Sequence, residues 1–109
     1  MIFVASQMPH ISRVERVKYG FDNCIRFKNN SKKKNQCTFE NSSDKPDLLR
    51  VKKGSKTISL RGKEETDIFF EITQPGKGTR GMVRTHLFVQ CAELVMHEVI
   101  AIDIEFPGK

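Results

Sequence analysis

The chain has 109 residues, the size of one domain, which argues against an enzyme with a cleft between two halves. With 38% hydrophobic residues, eight Phe and no Trp, it carries enough apolar side chain to fill a core between two sheets, so disorder does not describe the whole chain. Nineteen Lys and Arg against thirteen Asp and Glu leave a formal charge of +6, which favours acidic partners without choosing among protein, nucleic acid and anionic lipid.

Taken in chain order, the opening Ile2, Phe3, Val4 and Ala5 are too short a run for a signal-peptide core, and no stretch approaches the ~20 apolar residues that cross a bilayer. Residues 1–9 are expected to be a flexible segment ahead of one domain spanning 1–109 in a cytoplasmic protein. Period-two alternation then marks short strands at Val17, Tyr19 and Phe21, at Ile25 and Phe27, and at Cys37 and Phe39. Between the last two lies Asn-Asn-Ser-Lys-Lys-Lys-Asn-Gln, residues 29–36, too polar to be buried and expected to be the least constrained loop. Leu49 with Val51, and Ile58 with Leu60, continue the series. Ile68, Phe70 and Ile72 follow, then Val83, Thr85, Leu87, Val89 and Cys91, and last Ile100, Ile102, Ile104 and Phe106. Turn formers Pro46, Gly54, Gly62, Pro75, Gly76, Gly78 and Gly81 fall between the runs, and residues 92–97 could form at most one helical turn.

About seven short strands at this spacing predict an all-β, immunoglobulin-like sandwich. Two sheets of three or four antiparallel strands should enclose Ile25, Phe27, Phe39, Leu49, Val51, Ile58, Leu60, Ile68, Phe70, Ile72, Val83, Leu87, Val89, Ile100, Ile102 and Ile104.

Catalytic chemistry is not indicated. His10, His86 and His97 lie in no motif that would organise a base beside a nucleophile, and His86 falls on the polar side of its strand. Cys24, Cys37 and Cys91 form no C-x-x-C pair, and three cannot all pair within one chain; each sits in an apolar or alternating segment, so buried, reduced thiols are expected. Gly76-Lys77-Gly78-Thr79-Arg80-Gly81 lacks the following helix of a phosphate loop and is expected to be a flexible hairpin loop. Glu64, Glu65 and Asp67 are expected to form a charged turn, not a metal site. No cofactor, metal or catalytic residue is assigned. The candidate partner-binding set is basic: Lys28, Lys32, Lys33, Lys34, Lys52, Lys53, Lys56, Arg61 and Lys63. The same lysines would serve a nucleic-acid-binding domain, but alternation turns most Phe inward and leaves only Phe69 and Phe88 for base stacking.

The string Ile25-Arg26-Phe27-Lys28-Asn29-Asn30-Ser31 resembles the "apolar, x, Phe, x, Asn, x, Ser" step from second strand to loop in major-sperm-protein, PapD-like and ASPM-SPD-2-Hydin domains. Leu49-Arg50-Val51, the Gly54 turn, Ile58-Ser59-Leu60-Arg61-Gly62 and the run from Glu65 to Pro75 follow in that family's order, so the resemblance covers roughly residues 10–106. Ser43-Asp44-Lys45-Pro46-Asp47-Leu48-Leu49-Arg50-Val51-Lys52, with Ile58-Ser59-Leu60 and Gly62-Lys63-Glu64, is similar to the carboxy-terminal domain of nephrocystin-4-like proteins. Lys53 and Arg61 depart from prolines usual there, and the segment from Val83 to Cys91 departs as well. The resemblance implies a non-catalytic scaffolding module of a cytoplasmic protein at the ciliary base, transition zone or centrosome. Such a module would bind an acidic peptide or another ciliary scaffold protein through its basic face or an edge strand. A nucleic-acid-binding domain and a purely structural spacer are the alternatives, and oligomeric state is left open.

Overall fold

Wherever apolar and polar side chains alternate, the chain runs extended, because alternate side chains of a strand point to opposite faces and only one face is covered. The computed structural model describes residues 11–41, 47–76, 78, 80–92 and 98–107; the segment 1–9, His10, His97 and all of the 92–97 stretch except Ala92 lie outside them. Eight strands result: β1 (Ile11–Lys18), β2 (Cys24–Lys28), β3 (Asn35–Asn41), β4 (Leu49–Val51), β5 (Thr57–Leu60), β6 (Glu65–Ile72), β7 (Gly81–Cys91) and β8 (Glu98–Phe106). One turn of 3-10 helix, Lys53–Ser55, joins β4 to β5.

The strands form two sheets, ordered β1-β8-β7-β3-β5 and β2-β6-β4. The expected near-equal antiparallel division is corrected on two counts. The sheets hold five and three strands, and β1 lies parallel to β8, with a register shift between Ile11 and Arg13. Parallel pairing joins the two ends of the domain, a long-range contact that local periodicity does not carry. The whole is an all-β, immunoglobulin-like sandwich. Among the described residues, no helix is long and apolar enough to cross a membrane.

Thirteen of the sixteen side chains expected inside are buried, and Ile58, Ile72 and Val83 pack against them half-buried. Val17, Cys37, Leu48, Cys91 and Phe106 complete the cluster. Phe27 of the smaller sheet meets Phe39 of the larger edge to face, ring centroids 5.0 Å apart, and Tyr19 tilts against Phe106 at 5.1 Å. Polar contacts also tie the sheets. The Thr85 hydroxyl, fully buried, donates to Asn41 Oδ1 at 2.9 Å, and Asn41 Nδ2 donates to the Leu49 carbonyl at 2.7 Å, running from β7 through β3 to β4.

Four further expectations are corrected. Phe21 does not continue the first strand: Gly20 takes φ +87°, the Phe21 and Asp22 N–H groups both donate to the Lys18 carbonyl, and the Phe21 ring is 81% exposed beneath Lys18 Nζ. Residues 29–36 are not wholly solvent-facing, since Asn29 and Asn35 are buried and β3 already begins at Asn35. The glycine-rich stretch near Gly76 and Gly81 is a crossover between sheets and not a hairpin, because β6 pairs with β2 and β4 whereas β7 pairs with β3 and β8. Cys37 and Cys91 are not free thiols. They are register partners on β3 and β7 with Cα atoms 4.0 Å apart, they face the core, and they form a disulfide, leaving Cys24 as the free cysteine. An odd count leaves one thiol over; it does not keep the other two apart, and adjacency of strands 54 residues apart is a tertiary fact.

Candidate functional site

The basic residues are placed by loops, and one buried amide organises the largest group of them. Asn29, 5% exposed, directly follows β2 and aims its side chain into the gap between the β2–β3 and β5–β6 connections. Its Nδ2 donates to the carbonyls of Lys33 at 2.9 Å, Leu60 at 3.1 Å and Arg61 at 2.9 Å, while its Oδ1 accepts from the Ser31 N–H at 3.0 Å. The Asn29 N–H reaches the Glu64 carbonyl at 2.9 Å, and the Lys63 N–H the Ser31 carbonyl at 3.1 Å. A carboxamide suits this position because it donates and accepts at once, so one side chain bonds carbonyls of both connections and an N–H as well.

The second loop is shaped to fit the first. Gly62 sits directly against Lys32, whose carbonyl carbon and oxygen a Cβ at position 62 would strike. Lys63 holds a left-handed φ of 67° and donates from Nζ to the Asn30 carbonyl at 2.7 Å. The Glu64 carboxylate accepts the Arg61 N–H at 2.7 Å, which closes the turn. Lys32, Lys33, Lys34, Arg61 and Lys63 are thereby gathered at one end of the sandwich on two loops fastened to each other.

The remaining sequence-assigned residues lie elsewhere. Lys28 closes β2 on the outer face of the smaller sheet, where Glu65 is its register partner. That face is a ladder of opposite charges: Lys28 stands across from Glu65, Arg26 across from Asp67 and Arg50 across from Glu71, with Arg26 in contact with Glu65 at 3.3 Å and Asp67 at 3.4 Å. Glu65 and Asp67 therefore belong to strand β6 and not to a turn as expected; Glu64 alone of the three is in the connection. Lys52, Lys53 and Lys56 lie in and beside the 3-10 turn at the opposite end of β5 from Arg61, about 17 Å from Lys56 to Arg61 at the rise of an extended strand. Exposed Phe69 is beside them, its N–H bonded to the Ser55 hydroxyl at 3.0 Å. The nine residues thus form two groups and a border residue, not one face.

On the outer face of the larger sheet, alternation in the sequence pointed only to His86 and Phe88. Strand register sets Ile11, Val99 and Phe88 in one row across β1, β8 and β7, and Val14, Ala101 and His86 in the next. Arg16, Asp103 and Arg84 make the third row. Arg84 donates to both Asp103 oxygens at 2.6 and 3.0 Å, and these bonds hold the Asp103 carboxyl below the ordinary carboxylate range, with the Arg84, Arg16 and His86 charges acting the same way against partial burial. Cys24 is half-buried, and burial, then Asp67 and Asp22, push its thiol above the ordinary value, so it rests protonated. Among the described residues no cluster of three or more His, Cys, Asp or Glu could hold a metal ion.

No family model matches the sequence, and no curated protein matches it. Solved structures do share its fold. The E. coli chaperone DraB superposes with a TM-score of 0.63 at 13% identity, over 90% of this chain and 54% of that one. The Pseudomonas aeruginosa CupB2 chaperone gives 0.61 at 7% identity over 91% and 53%, and the periplasmic chaperone SfaE gives 0.59 at 15% over 90% and 55%. The chain spans about half the length of these proteins. The likeness places it in the PapD-like form of the immunoglobulin-like fold, the structural half of the resemblance read from the sequence; the major-sperm-protein, ASPM-SPD-2-Hydin and nephrocystin-4 likenesses gain no support from these matches.

Proposed function

We propose that the chain is a non-catalytic protein-interaction module whose basic end, formed by Lys32, Lys33, Lys34, Arg61 and Lys63 with Lys28 at its border, receives an acidic extended segment of a partner protein. The observation that carries this reading is the fastening of two loops, distant in sequence, into one platform by Asn29. A platform fixed in advance presents its charges without ordering them on contact, which lowers the cost of binding. Within residues 29–34 and 61–64 the single carboxylate is that of Glu64, already accepting the Arg61 N–H. Lys63 keeps a backbone conformation that a glycine would hold with less strain, and its side chain helps to lock the two loops. Chaperones that share the fold make a protein partner the natural class to test first.

A nucleic-acid reading fits the other basic group better, since exposed Phe69 stands next to Lys52 and Lys53 there. One ring is few for a stacking platform, and the loops of the basic end contain none. The two readings separate by titrating a dye-labelled Glu/Asp-rich peptide and labelled single- and double-stranded oligonucleotides at rising salt. The triple variant K32E/K33E/R61E is expected to weaken peptide binding by roughly tenfold or more, and K52E/K53E/K56E to leave it nearly unchanged. Equal effects of the two variants overturn the assignment. Oligonucleotide binding that outlasts peptide binding and falls steeply with salt favours the second reading. A structural spacer would bind neither probe.

The proposed setting, a cytoplasmic scaffold at the ciliary base or centrosome, rests on the sequence resemblance alone. The Cys37–Cys91 disulfide removes the separate argument from reduced cysteines. Microscopy of the tagged full-length protein tests the setting, and its recovery from a secreted fraction overturns it.

A further inference from the structure

We infer that two copies of this chain pair through their β1 edges, antiparallel and centred on Val14, to join the five-stranded sheets into one. Among the described residues β1 is the outermost strand of its sheet, and the direction of its backbone groups is fixed by its carboxy-terminal end. The Tyr19 N–H donates towards β8, to the Glu105 carbonyl at 2.9 Å. Lys18 faces the other way: its N–H donates to Asp22 Oδ2 at 2.8 Å and its carbonyl accepts from Phe21 and Asp22. Backbone groups alternate in direction along a strand, so Val17, Glu15 and Arg13 bond to β8 whereas Arg16 and Val14 turn N–H and C=O to the open edge. The register shift between Ile11 and Arg13 ends the regular edge just before Arg13.

An antiparallel twofold pairing of this edge must set outward residues opposite outward residues, which permits few registers. Centring on Glu15 opposes two carboxylates, and centring on Arg13 or Arg16 opposes two guanidinium groups, each unfavourable directly across a ladder. Centring on Val14 sets Val14 against Val14 of the second copy as a hydrogen-bonded pair. It also brings Arg13 opposite Glu15 of the second copy, and Glu15 opposite Arg13, at the closely spaced non-hydrogen-bonded positions. Within one copy Arg13 already contacts Glu15 at 3.2 Å, so four alternating charges close into a ring across the axis. Val14, 52% exposed on the outer face, loses that exposure to its own counterpart.

The pairing has a consequence for the basic end. Ser12 and Arg13 line a cleft of about 460 Å³ with Phe27, Lys28, Asn30 and Glu98, so the basic end adjoins the beginning of β1. A twofold axis through Val14 sets two such ends on either side of it, and one acidic chain could engage both with a gain in avidity.

Sedimentation velocity of the purified protein from micromolar to millimolar concentration tests the proposal, with circular dichroism and thermal melting as checks on folding. The wild type is expected to shift from monomer to dimer as concentration rises. R13E and E15R should each weaken association by roughly tenfold, since both cross-axis pairs turn repulsive. An equimolar mixture of R13E with E15R should restore the dimer, because the charges then complement across the axis, and the double variant R13E/E15R should self-associate again. V14P removes an N–H that β8 does not use and should give a folded monomer. A wild type that stays monomeric throughout, single variants that dimerise like the wild type, or a mixture that fails to associate each overturn the inference; the mixing experiment decides the matter even where V14P does not fold.

Discussion

Asn29 is the residue on which the candidate site depends, and it illustrates how a polar side chain inside a basic loop comes to be buried. With three carbonyls to satisfy and one N–H to receive, the position suits a carboxamide and excludes its near-isostere aspartate, which cannot donate when ionised. N29D is expected to destabilise the protein by about 3 kcal/mol, measured by chemical denaturation, because it buries a charged acceptor against three carbonyl oxygens that now receive the amide N–H groups. Asp103 makes a second prediction at this scale. Its hydrogen bonds from Arg84 depress its folded pKa below the unfolded value of about 3.9, so the pair stabilises fully above that value and loses its contribution as pH falls through the folded one. Thermal melts of wild type and D103N should therefore differ most near neutrality, and the gap should narrow as acid protonates Asp103. A gap that stayed constant in acid would contradict the assignment of the shift to Asp103. Asp103 was not singled out from the sequence, because the neighbours of its strand were unknown; Asn29 entered only as the Asn of a strand-to-loop motif, in a polar run that reads as solvated.

At the scale of elements, the pairing of β3 with β7 is where local reading and structure part most. Each strand was evident from alternation, and both cysteines were correctly placed on the inward side beside Phe39 and Val89. That they face each other depends on which strands are neighbours. The resulting bond closes a loop of 54 residues, and constraint of the unfolded chain predicts about 4 kcal/mol of stabilisation. Alkylation of the unreduced protein in denaturant should modify Cys24 alone, and reduction or C37A/C91A should lower the thermal midpoint by tens of degrees or unfold the domain. Three alkylated thiols in the unreduced protein would exclude the bond. β1 shows another kind of failure: alternation of Val17, Tyr19 and Phe21 placed a short strand there, but the strand runs from Ile11 to Lys18, and Gly20 then turns the chain and carries Phe21 into solvent.

For the molecule as a whole, the sequence by itself determined the all-β class, the position of nearly every strand and the inward face of each. These follow from a period of two in side-chain direction, which is local and survives in any tertiary arrangement. It also located the basic residues, since charge is composition. Tertiary structure alone decided how the strands divide into sheets of five and three, that β1 runs parallel to β8, and that β6 crosses to the other sheet before β7. It divided eight of the nine basic residues between the two ends of β5, fastened one group through Asn29, and matched Lys28 to Glu65. It placed Cys37 against Cys91 and gave β1 an open edge. Each of these is a relation between residues remote in the chain, settled by hydrogen-bond register and burial of a shared core, and no local pattern contains it.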